Sequence, residues 1–329
     1  MVILKERRKL DRIIRKSKTV FLMAHKDLDL DALGSCVGLN LLLKKRKKDC
    51  YIIIDDKTHE LGVEKVLKEL EGCVNIIKSE NLNKYLNENR SKNLLVVLDT
   101  NKTDLVQNKD VLKQIDKKVV IDHHDLGKTT IKDAFIIDDV NSSSTCEMIT
   151  RLIELYDHDI ESYYATILLS GIVLDTNNFT LKTSKDTYYA AYYLASIGAS
   201  AKKVQYLLKQ DIEEYTERQK VMSGIDTINK KIAYTKASAS TIYRREDLAK
   251  VADTLLFFNN IEASFVIGKI GKTKIGISAR SLGNYDISKI VTKLGGGGSE
   301  CEGAAVFENT TISAVEKDLK KLILEEEGE

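Results

Sequence analysis

The sequence predicts an α/β protein of two domains: a parallel-sheet domain, a helical connector and a smaller α/β domain. Three observations lead there. The length of 329 residues corresponds to two domains at roughly 150 residues apiece, each large enough to bury a core. Short continuous apolar runs alternate with helix-period segments through the first half, as parallel strands covered on both faces require. After an almost wholly helical middle, a second alternation of strands and helices begins past Lys230. The expected boundaries are 1–190, 191–230 and 231–329.

The chain opens with a short basic helix. Strands are expected at 20–24, 51–54, 74–77, 94–98, 119–121 and 135–137, where β-branched and aliphatic residues cluster. Helices at 32–47, 60–71 and 109–116 separate them. From 144 to about 229 the pattern is helical: Ser144-Thr145-Cys146-Glu147 has capping-box spacing and starts one helix, and Gly198 breaks two others. The second domain reads as strand 232–238, helix 245–257, strands 262–267 and 274–278, helix 287–294, the glycine run 295–298, strand 305–307 and a closing helix 314–325.

Composition narrows the function classes. With 43% hydrophobic residues and no proline, a disordered or Pro-rich chain is excluded. The 51 Lys+Arg against 49 Asp+Glu give no basic excess for a long nucleic acid. Charge is uneven locally, with 14 Lys/Arg and 6 Asp/Glu in residues 1–50, read as a solvated basic helix. Cys36, Cys50, Cys73, Cys146 and Cys301 are scattered and form no C-x-x-C pair, which indicates a reducing compartment. No run approaches 18 apolar residues and the N-terminus is not a signal sequence, so a cytoplasmic protein without a membrane segment is expected.

Ligands in open α/β sheets gather outside the carboxyl ends of the strands. Those ends carry His25-Lys26-Asp27-Leu28-Asp29-Leu30-Asp31, then Asp99, then Asp122-His123-His124; Asp175 ends the apolar run 168–174. A single such Asp is commonly only a helix cap. Four clusters at one sheet edge would repel one another and resist burial unless cations neutralised them. Carboxylate and imidazole ligands without thiolate suit manganese or magnesium, with iron, cobalt or zinc as competitors. Two divalent ions roughly 3.5–4 Å apart are typical where water attacks phosphorus, and they need a shared carboxylate. Asp99 and Asp175 are the bridging candidates; His25 and Asp29 would complete one site, Asp31 and His123 the other. His124 is then free to orient water or touch a substrate oxygen, with Asp122 fixing His123 from behind. The catalytic candidates are His124, Asp122 and Asp99.

His25-x3-Asp29-x-Asp31-Ala32-x-Gly34, Val97-Leu98-Asp99-Thr100, Ile121-Asp122-His123-His124 and Gly171-Ile172-x-x-Asp175-Thr176 resemble the successive motifs of the DHH phosphoesterase superfamily. The resemblance implies that His25, Asp29, Asp31, Asp99, His123 and Asp175 hold two manganese ions. In the second domain, Gly276-Ile277-Ser278-Ala279-Arg280-Ser281 and Lys293-Leu294-Gly295-Gly296-Gly297-Gly298 resemble the DHH-associated substrate domain. Backbone N–H groups of a glycine run can cradle phosphate, and Arg280 can clamp it; the alternative for Arg280 is a structural carboxylate partner. The substrate-binding candidates are Arg280, Ser278, Gly296, Gly297, Gly298, Ser299, Ser143 and Ser144.

These stretches, with 141–148, are most similar to the catalytic portion of bacterial cyclic di-AMP phosphodiesterases. The family places a substrate-contacting histidine after the glycine run where this chain has Ser299, which implies altered substrate binding with the metal chemistry intact. The expected function is hydrolysis of a cyclic dinucleotide, cyclic di-AMP to pApA, or of the linear product. Alternatives are an oligoribonuclease or 3′-phosphoadenosine-phosphate phosphatase activity, and a catalytically weak nucleotide sensor. A single-strand exonuclease is disfavoured, because its channel needs stacking aromatics and these are 6% of the chain. The partners implied are a small nucleotide substrate and, by family analogy, a second copy in a homodimer.

Overall fold

The computed structural model describes residues 2–328 and divides them after Lys209 into two units. In the first, α1 (Val2–Lys16), β1 (Thr19–Met23), α2 (Leu30–Lys45), β2 (Asp49–Ile53), α3 (Leu61–Glu69), β3 (Ile76–Ile77), β4 (Asn93–Leu98), α4 (Lys109–Gln114), β5 (Lys118–Asp122) and β6 (Phe135–Asp138) precede four further helices. These are α5 (Thr145–Leu155), α6 (Ser162–Asp175), α7 (Lys185–Ser196) and α8 (Ala201–Leu207). All six strands are parallel, in the order β3-β2-β1-β4-β5-β6. The order reverses between β1 and β4, which makes their carboxyl ends the switch point where such sheets bind ligands.

The continuous apolar strands follow from burial on both faces. Val20 and Leu22 of β1 join a core with α2, α5 and α6, while Phe21 and Met23 join a second core with Val97 and Val111. Each of these side chains stabilises the fold by about 1.5–3 kcal/mol. Helices α2 and α6 are buried on nearly every side, so their sequences lack a polar stripe. Gly198, at φ +96°, separates α7 from α8 as expected.

The second unit comprises α9 (Ile212–Met222), β7 (Asp226–Ile228), β8 (Ile232–Lys236), α10 (Arg245–Leu255), β9 (Ala263–Lys269), β10 (Lys274–Ser281), α11 (Ile287–Lys293), β11 (Gly297–Gly298), β12 (Glu302–Glu308) and α12 (Ile312–Glu327). Its sheet, β11-β12-β10-β9-β8-β7, is antiparallel except for the parallel β8–β9 pair. One face packs on α11 and α12, the other on α10.

Two details depart from the sequence reading. Helix was expected to about residue 229, yet α9 stops at Met222 and Asp226–Ile228 forms an edge strand on β8. Pairing to an existing sheet overrides the helical pattern of so short a segment. The glycine run, read from the sequence as a candidate phosphate cradle, supplies the edge strand β11. A Cβ on Gly298 would come within 2.5 Å of Gly303 Cα, so glycine there permits the close approach of β12. Among the described residues, no helix is long and apolar enough to cross a membrane.

Candidate metal centre

The centre is built from the loops leaving β1, β4 and β5 and from the end of α6. Asp29 caps α2, its Oδ1 accepting from Ala32 N at 2.9 Å, which leaves Oδ2 3.5 Å from His25 Nε2. Asp31 lies in the first turn of the same helix and is fully buried. Its two oxygens accept the N–H groups of Thr145 and Cys146, each at 2.7 Å, where the N-terminus of α5 favours negative charge. Gly171 of α6 lets this happen, since a Cβ there would sit 2.9 Å from Asp31 Oδ1.

Asp99 is held at φ +60°, a conformation uncommon outside glycine, and this turns its carboxylate into the crevice. Its Oδ2 lies 3.5 Å from His25 Nε2, and its Oδ1 3.4 Å from His123 Nε2. Thr145 Oγ1 donates to Asp99 Oδ1 at 3.0 Å. His123 Nε2 is also 3.2 Å from Asp175 Oδ2. His124 is exposed, and its Nδ1 donates to Asp122 Oδ1 at 2.8 Å.

Three groups of potential ligands result: His25, Asp29 and Asp99; Asp31, His123 and Asp175; and Asp99, His123 and His124. Asp99 reaches both histidines, whereas Asp175 groups with His123 and not with His25. All six residues expected as ligands therefore meet in two adjoining clusters. Burial alone would lower the His25 pKa, but Asp29 and Asp99 raise it well above its ordinary value. His123, likewise buried, is raised by Asp175 and Asp99. Burial would raise Asp99, yet His123 and His25 hold it well below the usual carboxylate range. Asp31 is pushed well up by burial and by Asp99 and Asp175.

These groups fit divalent metal. Among the described residues, His123 Nε2 is buried with no hydrogen bond of good geometry and has only the carboxylates of Asp175 and Asp99 as ion-pair neighbours, as suits a nitrogen that gives its lone pair to a shared cation. The carboxylates of Asp29, Asp99 and Asp175 have imidazoles, and no Lys or Arg, as ion-pair partners among the described residues. Four carboxylates against two imidazoles leave negative charge that buried groups retain only when neutralised. The open side is a pocket of about 160 Å³ lined by Thr100, Lys102 and His124 among others.

The substrate-binding candidates are placed differently. Ser143 and Ser144 are fully buried and serve α5. Ser144 Oγ accepts from Glu147 N at 3.1 Å, while Ser143 Oγ donates to Glu147 Oε2 at 2.6 Å. Only half of a capping box forms, because Ser143 N and Thr187 Oγ1 also donate to that glutamate. In the second unit, Arg280 Nε donates to Asp253 Oδ1 at 2.8 Å, and Ser278 is buried within β10. Gly297 and Gly298 are exposed on β11 behind Gly296. The Ser299 hydroxyl accepts from the Cys301 and Glu302 amides of its own turn.

Sequence reasoning missed Thr145 as a contact of Asp99, having assigned it only to a helix start. It also passed over Asn101, although its place two residues after Asp99 was a signal.

The DHH family N-terminal domain model matches residues 19–172, and the DHHA1 domain model matches residues 229–325. This chain belongs to the DHH phosphoesterase family. It is 36% identical over 315 residues to the cyclic-di-AMP phosphodiesterase PdeA of Listeria monocytogenes, covering 94% of this chain and 48% of that protein. It is 34% identical to the cyclic-di-AMP phosphodiesterase GdpP of Geobacillus thermodenitrificans, with the same coverage of each. The DHH chain thus spans about half the length of these curated relatives. An exopolyphosphatase-related protein from Bacteroides fragilis shares the fold at TM-score 0.74 and 22% identity, over 97% of this chain and 96% of that one.

Proposed function

We propose that this chain is a divalent-metal-dependent phosphodiesterase that hydrolyses a cyclic dinucleotide, cyclic di-AMP to 5′-pApA, or the linear dinucleotide to AMP. The observation that carries this reading is Asp99, which directs one carboxylate oxygen towards each ligand cluster. His25, Asp29 and Asp99 would hold one ion, and Asp31, His123 and Asp175 the other. When bound, the two ions would supply charge neutralisation at the phosphoryl oxygens and a lowered pKa of the attacking water. His124 is exposed with Nδ1 engaged by Asp122, which leaves its Nε2 to bond a phosphoryl oxygen. Arg280, the β11 amides and Ser299 are the phosphate contacts this reading assigns to 231–329, with 1–190 as catalytic domain and 191–230 as connector. Manganese, a cytoplasmic location and a homodimer belong to the same reading.

The identities with PdeA and GdpP support a cyclic dinucleotide as substrate. A second reading, a weakly active nucleotide sensor, is motivated by Ser299 standing after the glycine run where the family places a histidine. One assay separates them: cyclic di-AMP, cyclic di-GMP, pApA, a short oligoribonucleotide and pyrophosphate offered side by side with manganese. Release of pApA or AMP is expected. Binding of cyclic di-AMP without turnover, by protein holding two metals, would select the sensor.

A further inference from the structure

We propose that the loop leaving β4, residues 99–108, braces the two halves of the metal centre separately, with Asn101 and Gln107 as positioning residues. The inference rests on the two-cluster reading above.

Asn101 is fully buried. Its Nδ2 donates to Asp122 Oδ2 at 2.6 Å, to His124 O at 2.9 Å and to Asp125 O at 3.4 Å. With Oδ2 held, Asp122 presents Oδ1 to the N–H of His123 at 2.9 Å, the N–H of His124 at 3.3 Å and the ring Nδ1 of His124. Asn101 thereby sets the backbone from which His123 reaches Asp31 and Asp175.

Gln107 serves the other half. Its Nε2 donates to His25 O at 2.7 Å and to Asp56 Oδ2 at 2.6 Å, while its Oε1 accepts the N–H groups of Asp55 and Asp56. Asp56 Oδ2 in turn accepts from Leu28 N at 3.2 Å. The segment between His25 and Asp29 is strapped at both ends by this pair. Backbone bonds continue the strap, from Lys26 N to Leu105 O at 2.7 Å and from Gln107 N to Ala24 O at 3.1 Å. Asp99 serves both clusters, Asn101 steadies the His123 side, and Gln107 steadies the His25 side.

Residues that orient ligands are worth roughly 10–100-fold in metal affinity, and separate braces make the two losses separable. The test is manganese titration of the full chain, read by equilibrium dialysis and by EPR, with circular dichroism as a fold control. N101D exchanges the amide donors for an acidic group facing Asp122; Q107E removes the donor to His25 O and to Asp56 Oδ2, setting a carboxylate against Asp56, but keeps the acceptor for the Asp55 and Asp56 amides. Each variant should weaken one manganese roughly 10–100-fold and leave the other unchanged. At one equivalent, Q107E should give the spectrum of H25A and N101D that of H123A, while the double variant loses both ions. Should N101D fail to fold, N101S carries the same expectation without added charge. Two metals bound at wild-type affinity in either variant would overturn the brace. So would loss of the same ion in both variants, or equal loss of both ions in a folded single variant. Failure of the unaltered chain to bind two manganese ions would instead overturn the two-metal reading.

Discussion

The first unit's sheet edge and the second unit's glycine strand both carry polar groups that sequence reasoning assigned to chemistry, and they differ in what those groups do with one another. At the β1/β4 edge the carboxylates of Asp29, Asp99 and Asp175 have, among the described residues, only imidazoles for ion-pair partners, and His123 Nε2 makes no hydrogen bond of good geometry. Around β11, Arg280 is engaged by Asp253 and the Ser299 hydroxyl by its own turn. A constellation that cannot neutralise itself calls for an external cation, because a buried uncompensated charge costs several kcal/mol. One that satisfies itself stands as architecture first, and as a ligand site only after rearrangement.

The contrast can be broken by experiment. D99N removes charge shared by both clusters and should cut phosphodiesterase activity more than about 100-fold, beyond the range for supporting residues; a steady-state assay retaining more than a few per cent of wild-type activity would contradict this. Chelation should come next. A metal held at about 100 times its Kd stabilises the folded state by about 2.7 kcal/mol, so EDTA should lower the unfolding midpoint of the first unit and leave that of the second unchanged in calorimetry.

G298A addresses the other side. Its Cβ would press on Gly303 and the Glu302 carbonyl, with a cost of about 1–3 kcal/mol, so urea unfolding of the second unit should weaken while manganese stoichiometry holds. R280Q should raise KM severalfold with kcat little changed, as removal of uniform binding does; an unchanged KM would leave Arg280 a purely structural partner of Asp253.

The smallest effect concerns Asp247. Burial would raise its pKa, but Arg244 and Arg218 hold it below the ordinary value of 3.8. A lowered folded-state pKa contributes stability that is present above pH 4 and lost as pH falls through that lowered value. Stability of the second unit should therefore fall below pH 4, and D247N should flatten that fall in urea midpoints measured against pH.

Much of this was legible in the sequence. Short, β-branched apolar runs such as 94–98, bounded by helical segments, read as strands covered on both faces, and residues just past such strands emerge at one edge. His25, Asp99 and His123 could be placed together for that reason. The end of α9 was not legible, because whether Asp226–Ile228 becomes strand depends on a neighbour, β8, reaching it in space. Ser143 and Ser144 were misplaced for the same reason: hydroxyls suited to phosphate look identical in sequence to hydroxyls that secure Glu147.

The sequence by itself determined the alternation of continuous apolar strands with helical segments, the order of the acidic and histidine clusters, and hence a metal-binding edge on a parallel sheet. Tertiary structure alone decided that Asp99, and not Asp175, reaches both histidines. It also decided that Asn101 and Gln107 brace opposite halves of the centre, and that Arg280 pairs with Asp253. Chain spacing specifies which side chains emerge at an edge. The direction of a carboxylate's two oxygens depends on backbone torsion at that residue and on donors contributed from distant segments, which a linear pattern does not encode.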